Sequence, residues 1–169
     1  TMLDLRGAIW FSDIRNYSVH AQRNESSVFI EKLNAYYEAV VGEIHAQHGE
    51  VLKFIGDAVL AIFVEHPDLA PACERALAAA RAANGALVSK ALEFDHGVGL
   101  HLGQFKFGNI GSLRRMDFTV IGSDVNLAAR IEAQCSLRKA RLLMSQQFAD
   151  RCGQSVQLVT RTELKGFTG

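Results

Sequence analysis

Two aspartates stand where short apolar runs end. Asp13 follows Gly7–Phe11 and one serine, and Asp57 follows Val51–Ile55 and one glycine. A buried strand that delivers a carboxylate to its end is one way to hold a divalent cation near a phosphate-bearing substrate. Aspartate is equally a favoured turn residue, so spacing alone leaves both readings open. Lys53 sits inside the second run, where strict alternation places it on one face with Val51 and Ile55, and Leu52 and Phe54 on the other. A lysine among apolar residues on its own face suggests that a ligand or a second subunit covers that face. The plainer alternative is a packed stem with its ammonium reaching water. Asn126 and Arg130, four residues apart, share one face of a helix. Ala128, Ala129 and Ala133 keep that helix thin, arginine suits a phosphoryl group, and an amide beside it can fix an oxygen or a water. A solvated arginine is the ordinary alternative.

Other candidates carry less. Gly103–Gly111 reads GQFKFGNIG, which lacks the Gly-Lys-Ser/Thr of a phosphate-binding loop, and its glycines are read as tight hairpin turns. His45 and His48 fall near a helix end, where the helix dipole explains them better than a metal. No Gly-x-Ser-x-Gly elbow and no plausible catalytic Cys/His pairing occurs.

The elements that must position these residues follow from periodicity. Gly7–Phe11 reads as a strand buried on both faces. Phe29, Leu33, Tyr36, Tyr37, Val40 and Ile44 recur at helical spacing between Glu25 and Gln47, and Gly49 supplies the stop. Val51–Ile55 and Ala58–Phe63 form a hairpin turning at Gly56-Asp57. Asp68–Leu92 is Ala-rich and helical, with Pro71 in its first turn. Val98, Leu100 and Leu102, then Phe105 and Phe107, alternate as a glycine-studded hairpin. Ser123 or Asp124 can cap a helix running to about Gln134. A strand at Leu142–Met144, a short helix from Ser145 and a strand near Val156–Val159 complete the chain. The order β-α-β-β-α-β is that of a ferredoxin-like split β-α-β sandwich, so the fold class is α+β with additional C-terminal elements.

Composition bounds the rest. The chain has 169 residues, 49% hydrophobic and 21% charged, which suits one domain (1–169) with a substantial core. The 18 basic and 18 acidic side chains cancel, which argues against a dedicated nucleic-acid binder. The longest apolar run, Ala58–Val64, is far too short to cross a bilayer, and the chain does not open on a signal peptide. Cys73, Cys135 and Cys152 are scattered and odd in number, which speaks against a disulfide framework or zinc site and for a reducing, cytoplasmic setting. Thr1-Met2 and Phe167-Thr168-Gly169 read as the edges of a domain cut from a longer protein.

Four segments together resemble a known family. FSDIRNYS with Asp13, LKFIGDAVLAIF with Lys53 and Asp57, GNIGSLRRMDFTVIGSDVNLAARIEA with Thr119, Asn126 and Arg130, and LKGF with Lys165 are similar to the class III nucleotidyl cyclase catalytic domain, in the same order and with typical spacing. The resemblance implies an adenylate cyclase, a phosphorus-oxygen lyase that converts ATP to 3′,5′-cyclic AMP and pyrophosphate. It implies two divalent cations, Mg²⁺ or Mn²⁺, held by Asp13, Asp57 and the Ile14 carbonyl. Lys53 and Thr119 match the residues that read the purine, Asn126 the one at the ribose and Arg130 the one at the transition state. Lys165 matches the lysine on the leaving phosphates, and Arg114 a further phosphate contact. Thr119, where vertebrate-type enzymes carry Asp, is similar to a mostly bacterial subgroup, some of whose members respond to bicarbonate. Lys53 stands where guanylyl cyclases usually carry Glu.

The resemblance further implies a head-to-tail homodimer with composite sites, the aspartates coming from one subunit and Lys53, Thr119, Asn126, Arg130 and Lys165 from the other. An upstream sensor or regulatory domain is expected in the parent chain. The alternatives are a guanylate or dual-specificity cyclase, or a nucleotide-binding regulatory partner without turnover. Against the latter, every key position is filled, and no GGDEF-like turn points to a diguanylate cyclase.

Overall fold

The computed structural model describes residues 2–112 and 114–152, without the side chains of residues 112 and 115–119. The expected strand near Val156–Val159 and Lys165 lie outside the described residues. The order of elements is β1 (Met2–Ile14), α1 (Tyr17–Arg23), α2 (Ser26–Ala46), β2 (Glu50–Ile55), β3 (Ala58–Val64), α3 (Ala72–Ser89), β4 (His96–Ser112), β5 (Arg115–Ile121), α4 (Ser123–Arg138), β6 (Leu142–Met144) and α5 (Gln146–Cys152). The sheet runs β2-β3-β1-β4-β5, antiparallel between neighbours, with β6 parallel to β4. Strand β3 separates the parallel pair β1 and β2, which is the split β-α-β arrangement expected of an α+β sandwich.

The apolar run Gly7–Phe11 underestimates β1. The strand has 13 residues, because β4 pairs with it from Met2↔Gly108 to Ile14↔His96. Its first residues are exposed, so backbone bonds hold them where hydrophobic periodicity gives no signal. Trp10, Val59, Ala61, Phe63, Val98 and Leu100 face α2 and α3 in the larger core. There α3 presents Ala72, Ala76, Ala79, Ala80 and Ala83, small enough for the helix to lie close to the sheet. Ile9, Leu60, Ile62 and Phe105 face the other way and gather with Val120, Val125 and Ala128 into a second core, to which Leu52 adds part of its side chain. The sheet curls enough for β5 to touch β2.

Gly103, expected to form a tight hairpin turn, instead lies within a strand and shares its role with Gly97 and Gly99. Strand β4 runs unbroken for 17 residues, and its hairpin partner is β5. Gly97, Gly99 and Gly103 lie two or four residues apart and so share a face, the one onto which α4 packs. A Cβ at Gly97 would lie 2.5 Å from Cys135 Cβ, and one at Gly99 would lie 2.5 Å from the Glu132 backbone nitrogen. Alternating glycines are what a helix needs to sit directly on a strand backbone. Cys73, Cys135 and Cys152 are free thiols, the first two of them buried.

Candidate active site

Asp13 comes at the C-terminal end of β1, in register with Gly97, and by alternation shares a face with Ile9 and Phe11. Asp57 occupies the turn between β2 and β3, where Oδ2 accepts a hydrogen bond from the Ile14 backbone N–H at 3.1 Å. That one bond ties the hairpin turn to the end of the central strand and brings the two aspartates side by side. Burial raises the Asp57 carboxyl above its ordinary value, and the negative charge of Asp13 adds to the effect. Its own backbone N–H and that of Ile14 work the other way.

A third carboxyl joins them. Glu132, on the sheet-facing side of α4, hydrogen-bonds Asp13. Burial above all, then the bond to Asp13 and the charges of Asp13 and Asp57, push its carboxyl up to about 9, against the pull of Arg15. Sequence reasoning passed over Glu132, since a lone glutamate on a polar helix carries no spacing signal. The available clue was the pair Gly97 and Gly99, which lets α4 come down beside Asp13. Arg15 closes the arrangement from below. Its guanidinium donates to the carbonyls of Ala140 and Cys135 at the end of α4 and faces Asp95 Oδ2 at 3.5 Å. Tyr37 stands on the α2 side, its phenol pushed up to about 12 by burial and by the Asp57 charge.

These residues suit a hard divalent cation. Asp13 and Asp57 set carboxylate oxygens side by side, and their mutual repulsion is what a bound cation would relieve. Among the described residues no cluster of three or more His, Cys, Asp or Glu forms a metal cage by itself.

The other expected residues lie elsewhere on the chain. On α4 the buried side chains are Val125, Ala128, Ile131 and Cys135. Arg130 leaves the helix about 200° around the axis from Glu132, and Asn126 about 240° around and roughly 9 Å further back, at 100° and 1.5 Å per residue. Asn126 is exposed and Arg130 half-buried. One helix therefore turns Glu132 to its own Asp13 and carries Asn126 and Arg130 on the far side. The chain does not bring its Asn126 and Arg130 to its own aspartates.

Lys53 needs a correction in its surroundings. Strand β2 carries a bulge between Val51 and Lys53, with Val51 opposite Ala61 but Lys53 opposite Leu60. The extra residue, Leu52, breaks the alternation. Val51 packs into the core beneath α2 and α3, and Phe54 stacks against Tyr37 with ring centroids 4.9 Å apart. Half-buried Lys53 shares the opposite face with Leu60 and Ile55, not with Val51. The backbone of Thr119 pairs with Gly108 in β5, the strand that reaches β2, while its side chain lies outside the described residues. Arg114 is exposed at the turn between β4 and β5. Exposed apolar side chains flank these elements, namely Phe54 and Ile55 on β2, Ile121 on β5 and Leu137 on α4. Among the described residues no helix is long and apolar enough to cross a membrane.

Comparison with known proteins shows the family and the fold. Residues 6–167 match the family described as the adenylate and guanylate cyclase catalytic domain. The protein Rv1319c of Mycobacterium tuberculosis is 37% identical over 142 residues, which cover 84% of this chain and 26% of that protein. The chain thus spans about a quarter of the length of the curated relatives it matches. Among solved structures, the adenylyl cyclase CyaB from P. aeruginosa superposes with a TM-score of 0.83 at 24% identity, over 100% of this chain and 92% of that one. The guanylyl cyclase Cya2 gives 0.75 at 23% identity, over 100% and 89%. Both likenesses are of fold, and they span the two base specificities. With a family match over nearly its whole length, the chain belongs to the adenylate and guanylate cyclase catalytic domain family.

Proposed function

We propose that this domain is an adenylate cyclase working as a homodimer with composite sites. The observation that carries the proposal is the opposed placement on α4. Asp13, Asp57 and Glu132 converge on one side, Asn126 and Arg130 sit on the other, and both sets are complete in one chain. Two copies arranged head to tail would join the aspartates of one to Asn126, Arg130 and Lys53 of the other. The exposed Phe54, Ile55, Ile121 and Leu137 supply apolar surface for such a contact.

In this reading the ATP 3′-oxygen attacks the α-phosphorus. The new bond joins O3′ to the α-phosphorus, the bond from that phosphorus to the bridging oxygen breaks, pyrophosphate departs and the hydroxyl proton passes to solvent. Divalent cations, held by Asp13, Asp57 and the Ile14 carbonyl and completed by phosphate oxygens and water, would supply charge neutralisation and a more acidic 3′-hydroxyl. The protein supplies position and electrostatics. Arg130 donates to the phosphoryl oxygens as charge moves onto them, and Asn126 holds the ribose. Arg114 and Lys165 are assigned to the phosphates. Lys53 donates to adenine N1 and the Thr119 hydroxyl accepts from the 6-amino group. Guanine offers a donor at N1 and an acceptor at O6, which leaves the lysine facing a donor.

The domain is further proposed to answer to a sensor or regulatory segment in a longer chain. Incubation with Mn-ATP and, separately, Mn-GTP, followed by identification of the product, tests the catalytic reading. Cyclic AMP in clear excess over cyclic GMP supports it. Cyclic GMP as the main product transfers the assignment to a guanylate cyclase, and no cyclic product leaves a nucleotide-binding partner.

A further inference from the structure

Helix α4 begins without a side-chain cap. Its N-cap is Gly122, and neither Ser123 nor Asp124, the expected capping residues, fills that role. Asp124 instead reaches back across the sheet. Its Oδ2 accepts from the Gln104 backbone N–H at 3.0 Å, and its Oδ1 lies 3.0 Å from Nε2 of His101. His101 is 1% exposed, and its Nδ1 lies 2.7 Å from Ser145 Oγ. Nε2 of His101 donates to the Asp124 carboxylate, and Nδ1 is bonded to the Ser145 hydroxyl. Ser145 Oγ in turn accepts from the Phe148 N–H at 3.2 Å at the start of α5. Gly103 leaves room for the carboxylate, because a Cβ there would lie 2.1 Å from Asp124 Oδ2.

We infer that Asp124, seated on Gly103 and held by His101 and the Gln104 amide, is a positioning residue that fixes the rotation and height of α4, and so the placement of Asn126 and Arg130. The inference rests on the roles proposed above for those two residues. A helix transmits such an anchor as a stiff rod, and Asn126 and Arg130 follow Asp124 by two and six residues. Near the start of α4 the remaining packing is by Val125 and Ala128, which slide on an apolar surface more easily than a carboxylate hydrogen-bonded to a buried imidazole. The buried polar set Ser145-His101-Asp124 thus has a use outside the reaction itself. It registers the helix against β4 and against the start of α5.

The test joins hydrogen exchange with kinetics on the whole chain. In Asp124→Ala, amides 123–130 should exchange about tenfold faster or more while those of β1 and β3 keep their protection. Its kcat with Mn-ATP should fall by about tenfold or more, with KM within about threefold, as for a misplaced transition-state group. Asp124→Asn keeps an acceptor for the Gln104 amide and should recover most of both. Asp124→Asn serves if Asp124→Ala does not fold, and Gly103→Ala, whose Cβ would lie 2.1, 2.3 and 2.6 Å from Oδ2, Cγ and Cβ of Asp124, drives the whole side chain off its seat. It should move both readouts the same way. Combined with Arg130→Ala, Asp124→Ala should cost clearly less than it does alone, because one of the two groups it positions is gone. Unchanged exchange at 123–130 in both Asp124→Ala and Gly103→Ala overturns the inference. So do full additivity with Arg130→Ala and a loss confined to KM. A wild-type chain that forms no cyclic nucleotide overturns the proposed reaction instead, and the exchange measurement then decides the anchoring by itself.

Discussion

Replacing Gly99 by alanine probes the contact that places α4 over the site. Gly99 pairs with Phe11, and an added Cβ would lie 2.5, 2.7 and 2.8 Å from the N, Cα and Cβ of Glu132. Ordinary contact begins near 3.4 Å. No rotamer change relieves a clash with helix backbone, so α4 must retreat by about 1 Å. Overpacking of this kind costs about 1–3 kcal/mol, which at about 2–4 °C per kcal/mol for a domain of this size lowers Tm by several degrees. The retreat also loosens Glu132 from Asp13 and shifts Asn126 and Arg130. A misplacement of that size can cost on the order of 10²-fold in rate, so kcat should fall by about 10- to 100-fold with a smaller change in KM. Thermal unfolding and steady-state kinetics with Mn-ATP are the assays. Gly42→Ala is the control, since nothing lies within 4 Å of its Cβ position in the interior of α2. It should raise stability by about 0.5–1 kcal/mol and leave kcat alone. Wild-type kcat and Tm in Gly99→Ala would refute the reasoning, because α4 would then need no glycine beneath it.

Asp57→Asn should abolish metal-dependent turnover without loss of stability at pH 7, because it removes a carboxylate that burial and Asp13 already disfavour. Activity with unchanged Mn²⁺ dependence would contradict the metal role. Lys53→Glu should erode the preference for ATP, measured as the ratio of kcat/KM for ATP and GTP. A buried unpaired polar group costs about 1–3 kcal/mol, so the wild-type ratio should lie between about fivefold and about 150-fold, and an unchanged ratio in the variant removes Lys53 from base reading. His96 should make the fold acid-sensitive. Its imidazole, bonded to Tyr36 Oη at 2.8 Å and Asn84 Oδ1 at 2.6 Å, is lowered to about 4, chiefly by burial. The unfolded chain takes up a proton near the ordinary value of 6.5 and the folded chain does not, so unfolding free energy should fall as pH drops from about 6.5 to about 4. Denaturant titrations across that window that show no His96-dependent slope, with His96→Gln as reference, would contradict this.

The residues at element ends were the legible ones. Asp13 and Asp57 follow apolar runs whose boundaries are written in composition, and Asn126 and Arg130 sit on a helix whose spacing settles their common face. The strand order followed from the sequence of elements. What escaped depends on contacts between elements. The bulge at Leu52 is set by pairing with β3, so alternation gave Lys53 the wrong neighbour in Val51. Gly103 looked like a turn because the helix that needs it begins some 20 residues downstream. Helix α1 was missed because it is short and buries none of its residues. Glu132 and the His101-Asp124 pair acquire meaning only once α4 is laid on β4. Lys165, expected at the leaving phosphates, lies outside the described residues.

The composite site is the central claim, and mixing two inactive variants tests it most directly. Asp57→Ala lacks one set and Arg130→Ala the other, so a heterodimer of the two contains one intact site while each homodimer contains none. The account predicts cyclic AMP formation from Mn-ATP on mixing, rising with the fraction of heterodimer. A mixture that stays inactive although heterodimers are shown to form would contradict it.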